Sequence, residues 1–375
     1  MKKFICTLFL LMILIVPVYA ADIPQMIDSY GIDTHITDNE LSVVRDTIIS
    51  DFNTDAVIKA MMSGEEIPGI KGLPNKVIDI FFGELKTALK GALIILSIMI
   101  ICSFVTTMKS SFMSSEVSSV TDAVCVTSSA MVAAVILKQL ISVGVASVAG
   151  GTAFVKSLTP AMVILLFASG NALSAGALEF WLFFLIEAMV YVVEYIFIPM
   201  VCCYIALCAA DSIFDGIRLS KIADLFKSFL SFSLGFMLTL FTGVITISQL
   251  IRSVGDAATS KAVKFTVSSA VPVVGKIISD AADLVISFSY LIKSAFGVFG
   301  IISVILIFLI PVIKIGVQMI VFRIIAALSD TLGNEKLTRL LSGFASGITY
   351  IFSINICVCV FMVLSLGLVV MTGVR

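Results

Sequence analysis

The chain has 375 residues, of which 59% are apolar and 13% charged. Soluble globular proteins run at about 45–50% apolar and about 25% charged, so this composition excludes an ordinary cytosolic enzyme and indicates a chain dissolved mostly in lipid. The formal net charge of −1 gives no electrostatic footprint for nucleic acid, and the single histidine, His35, removes schemes that need two imidazoles.

Residues 1–20 have the order of a cleavable secretory signal. Lys2 and Lys3 form a basic start, Phe4 to Val16 an apolar run, Pro17 a break, and Val18 and Ala20 the small residues before a cut. A retained anchor is the alternative, and in both cases the following segment is exported. Residues 22–66 carry ten acidic and two basic side chains, a balance of −8, whereas 91–375 balance at +3. Region 21–88 is therefore a separate, exported, acidic and amphipathic helical region. Thr37 and Glu40 form a capping box. Leu41, Val44, Ile48 and Phe52 follow at helical spacing. Thr54 is placed to cap a second short helix carrying Val57, Ile58 and Met61. This region is either a cap resting on the membrane part or a docking surface for a basic partner.

Residues 89–375 read as a multi-span transmembrane domain. Apolar stretches fall near 89–107, 121–140, 158–177, 180–208, 228–248, 296–328 and 344–371. The expected fold is an all-α polytopic membrane bundle of about seven spans, with six to eight allowed. Pro311 lies inside the sixth stretch, where it can kink a helix. Ser142 to Thr152 is rich in small residues, which permits close helix approach or a re-entrant turn. Residues 266–292 are apolar but hold Pro272, Gly275, Lys276, Asp280 and Asp283. Three ionisable groups suit a broken or interfacial segment better than a lipid-facing span. Pro160 with Ser169-Gly170-Asn171 marks another candidate break. Basic residues on both sides of 228–248 leave the orientation open, apart from the exported start.

Glu187 and Glu194 lie two turns apart on one face of an apolar helix, and Lys138, Lys314 and Arg323 are their candidate partners. These five residues form the candidate membrane-embedded polar network. Ionisable groups at such depth carry protons or ions, or fix helix register as buried pairs. Register fixing is the favoured reading. All eight cysteines sit in apolar runs and read as packing residues. Phosphate-loop and metal-protease motifs are missing, so neither catalysis nor a cofactor or metal is expected.

The order of these features resembles the stage III sporulation protein AE family of endospore-forming bacteria. The resemblance covers roughly residues 70–372. It is carried by Phe81-Phe82-Gly83-Glu84-Leu85 and the span that follows, by Leu158-Thr159-Pro160-Ala161-Met162, and above all by Ser269 to Asp280, SAVPVVGKIISD. It implies a multi-pass subunit of a channel complex in the mother-cell membrane around the forespore. Implied partners are the other proteins of the same sporulation operon and a forespore membrane protein, besides the lipid bilayer. The implied role is forespore development after engulfment. A stand-alone secondary transporter using Glu187 and Glu194 is the alternative from another class.

Overall fold

The computed structural model describes Val57, Ala60 and residues 72–112, 115–169, 184–213, 219–270 and 275–371. The signal sequence, the Thr37 capping box, Gly170-Asn171 and Pro272 lie outside the described residues. Among the described residues six long helices follow one another: α1 (Leu73–Phe112), α2 (Ser115–Ala168), α3 (Phe184–Ile213), α4 (Ser220–Ala270), α5 (Gly275–Thr331) and α6 (Glu335–Met371). No strand occurs among the described residues. Each helix holds a stretch long and apolar enough to cross a bilayer, six in all, within the expected range. The chain is an all-α, multi-pass membrane protein.

The difference from the central expectation of seven lies in α2. The stretch near 121–140 and the beginning of the stretch near 158–177, as far as Ala168, are one helix of 54 residues, about 81 Å long at 1.5 Å per residue. Ser142 to Thr152 continue that helix, so close approach rather than a re-entrant turn is the outcome. Gly144 faces Ile351 and Asn355 of α6, and Gly151 faces Phe308 of α5 and Met362 of α6. Buried serines and threonines there bond their own helix: Thr152 donates to the Val148 carbonyl at 2.7 Å and Thr159 to that of Val155 at 2.7 Å. In hydrocarbon such bonds and neighbouring helices satisfy polar groups that would otherwise interrupt a span. Pro160 is accommodated inside α2, and Pro311 inside α5, which runs unbroken for 57 residues.

Helix α6 is the centre of the bundle, packed against α2, α3, α4 and α5, while α1 lies on α2 and α5. Half of the most apolar window of α6 is buried, against 17% for that of α4, which therefore forms the periphery. Glycines set the closest approaches. A Cβ on Gly343 would stand 2.5 Å from Cys208 Cβ, and one on Gly347 2.2 Å from Ile205 Cδ1, so α6 meets α3 where it has no side chain. The α5–α6 connection is a short hairpin. Gly333 takes φ 73°, the left-handed conformation that ends α5. Asn334 Oδ1 then accepts the Leu337 amide at 3.2 Å and caps α6. From the N-terminal region, Val57 and Ala60 are helical and buried.

One sequence expectation is corrected. Cys102 of α1 and Cys125 of α2 form a disulfide, with Cα atoms 6.1 Å apart. They are not merely packing residues. The antiparallel α1–α2 hairpin brings to one level two cysteines that are 23 residues apart in sequence. Cys202, Cys203, Cys208, Cys357 and Cys359 are free thiols.

Candidate functional site

The ends of α3, α4 and α6 enclose an open groove of about 280 Å³. Its charged lining is Asp211 from α3, Asp224 and Lys227 from α4, and Arg339 from α6. Ser220, Thr338, Ser342 and Ser346 supply hydroxyls, and Tyr204 and Cys208 lie deeper. Asp211 organises the wall. Its Oδ1 accepts the Ser220 amide at 2.9 Å, at the N-terminus of α4, and its Oδ2 lies 3.9 Å from Arg339 Nη1. A carboxylate there complements the positive end of the helix and ties α3 to α4 and α6. Below the groove, Tyr204 and Tyr350 meet edge to face with ring centres 5.9 Å apart. The Tyr350 hydroxyl donates to the Lys227 carbonyl at 3.2 Å. Among the described residues, two carboxylates, a guanidinium and an ammonium give the groove's lining no net charge. Its chemistry suits a ligand that carries both signs.

The five residues of the expected polar network do not meet one another. Glu187 pairs with Lys156 across α3 and α2, and its side chain is 58% exposed. Glu194 lies half-buried in a single π turn, Val193–Phe197. Lys314 of α5 lies 3.6 Å from Glu84 of α1, and the Arg323 guanidinium donates to the Thr349 hydroxyl at 3.1 Å. Lys138 is exposed on α2. Pairing thus occurs, but with Lys156, Glu84 and Thr349, each a neighbour on an adjoining helix. The interrupted segment near 266–292 has α4 ending at Ala270 and α5 starting at Gly275. The side chains of Lys276, Asp280 and Asp283 lie outside the described set.

The sequence profile of stage III sporulation protein AE matches residues 52–373, all six helices included. The chain belongs to the stage III sporulation protein AE family. Stage III sporulation protein AE of Bacillus subtilis (strain 168) is 28% identical over 222 residues, which cover 59% of this chain and 56% of that protein. The match thus spans little more than half of the relative's length. No solved structure matches the chain.

In this family member the groove was missed in the sequence because the residues from α6 lie more than a hundred positions beyond those from α3 and α4. The local signals were present but ordinary: Asp211 near a helix end, Ser220 as a helix start, and Arg339 one turn into α6. Lys293 was also passed over. It is fully buried in α5, with its ammonium 4.9 Å from the Tyr290 ring centre. Among the described residues no group of three or more metal-binding side chains comes together.

Proposed function

We propose that this chain is the multi-pass membrane subunit of a sporulation channel complex that links mother cell and forespore. The single observation that carries the reading is the family match across the entire bundle, 52–373. The fold is compatible with it: six long apolar helices, packed through glycines and paired charges, make a rigid membrane body. In this reading the chain does no chemistry of its own. It sits in the mother-cell membrane around the forespore and assembles with the other proteins of its operon and a forespore membrane partner. Its N-terminal region is exported. With six alternating helices, the groove end of the bundle then faces the mother-cell cytoplasm.

Sporulating cells carrying a tagged copy test this reading. Cross-linking followed by purification should recover the co-encoded sporulation membrane proteins. Deletion of the gene should arrest forespores after engulfment is complete. Normal spores from the deletion strain would refute the role, and recovery of the protein alone after cross-linking would refute the complex.

A further inference from the structure

We propose that the groove between α3, α4 and α6 binds the headgroup of a zwitterionic phospholipid. Its phosphate would lie at Arg339 and Lys227, and its ammonium at Asp224. This is independent of the channel reading. Three observations carry it.

The first is charge. Asp211 is engaged by the Ser220 amide and faces Arg339. Arg339 remains 51% exposed at the groove, and Asp224 and Lys227 stand exposed three residues apart on α4. Two cations beside one outward carboxylate match a phosphate joined to an amine. A guanidinium fork suits phosphate oxygens geometrically. An anionic headgroup without an amine would leave Asp224 facing a like charge.

The second is size. About 280 Å³ is below the range of roughly 300–1,000 Å³ for drug-sized ligands. It suits a headgroup.

The third is what adjoins it. Leu225, Phe229, Phe232 and Phe236 run down one face of α4 from beside Asp224, all of them more than half exposed. Phe232 and Phe236 stack with ring centres 6.0 Å apart. An amphiphile with its head in the groove would lay acyl chains along this face.

The full-length protein, purified in mild detergent and stripped of lipid, is passed through nanodiscs of phosphatidylethanolamine or of phosphatidylglycerol. Retained lipid is then counted by native mass spectrometry. Phosphatidylethanolamine should be retained preferentially. Lys227→Gln should weaken that retention by about tenfold, the loss of one charge-assisted contact. Asp224→Asn should erase the preference while the protein still binds lipid. Both residues are exposed, so both variants should fold, with size-exclusion profiles as the control. Arg339→Lys should retain less lipid than wild type, because an ammonium lacks the fork. Soluble glycerophosphoethanolamine, which has no chains, should not displace the lipid at equal concentration. Displacement at equal concentration would assign the groove to a soluble ligand and overturn the lipid source. Equal retention of both lipids by wild type and by Asp224→Asn would overturn the proposal.

Discussion

The Ser147 hydroxyl of α2 lies 2.5 Å from Asn355 Oδ1 of α6, both residues buried in the centre of the bundle. The same hydroxyl is 2.8 Å from the Gly144 carbonyl, and its one proton serves these acceptors in turn. Asn355 Nδ2 donates to the Ile351 carbonyl at 3.0 Å. Gly144 permits this closeness, since a Cβ there would stand 2.7 Å from Asn355 Nδ2. A polar clasp thus joins the two helices in the interior of the bundle.

Ser147→Ala removes a donor and leaves Asn355 Oδ1 short of a partner in a dry interior. The cost should be about 1–2 kcal/mol, and the coupling between the two positions about 0.6 and at most about 1.7 kcal/mol. Asn355→Leu in the same chain should recover part of the loss, because the orphaned acceptor is gone. Thermal unfolding in detergent measures it. A double variant less stable than Ser147→Ala alone would contradict the clasp.

Glycine substitutions should separate packed from lipid-facing positions. Gly343→Ala places a methyl group 2.5 Å from Cys208 Cβ and 3.0 Å from its sulfur, so α3 and α6 must part. The cost should be about 1–3 kcal/mol, the usual penalty of overpacking. Gly235→Ala in α4 meets nothing within 4 Å and should be neutral or slightly stabilising. Equal melting temperatures for the two variants would argue against close approach of α3 and α6.

Much of the architecture was readable because hydrocarbon imposes a simple rule: apolar runs become helices. Both ends of α3 and the C-terminal end of α6 fall within a turn or two of the expected apolar stretches, whereas α4 runs well past its stretch, to Ala270, and α6 starts early, at Glu335. What failed was punctuation. Pro160 read as a candidate break, Pro311 as a kink and Ser142 to Thr152 as close approach or a re-entrant turn, yet all three lie within continuous helices, because neighbouring helices and back-bonding hydroxyls stabilise them in place. Partners were harder still. Glu187 and Lys314 were expected to be paired, but Lys156 and Glu84 were not singled out. Which helices adjoin is a property of the packed bundle and not of any one segment.

The Cys102–Cys125 link predicts a specific thiol pattern. Under denaturing, non-reducing conditions these two cysteines should resist alkylation, while Cys202, Cys203, Cys208, Cys357 and Cys359 should react. Reduction should then expose two further sites, found by peptide mass spectrometry. Cys102→Ser should free Cys125 for labelling. Labelling of both before reduction would show that the hairpin is held by packing alone.

The Lys156–Glu187 pair decides what the membrane-embedded charges do. Both side chains lie within apolar helices and are partly exposed on the bundle surface, at 33% and 58%. In water such a pair would contribute about 0–1 kcal/mol. In hydrocarbon an unpaired lysine costs about 2.5–3.5 kcal/mol on insertion scales, so losing the carboxylate matters more there. Glu187→Gln keeps an acceptor oxygen for Lys156 and should preserve protein level and most spore formation. Glu187→Ala should lower the level of protein in the membrane. Exchanging the pair, Lys156→Glu with Glu187→Lys, should restore it, because the attraction survives with its direction reversed. Spore counts and membrane protein levels measured together check all three. Full protein level without spores in Glu187→Gln would point instead to a titrating carboxylate, since an amide cannot cycle a proton. Failure of the exchange, at low protein level, would mean that the surroundings of Glu187 favour the anion for reasons other than Lys156.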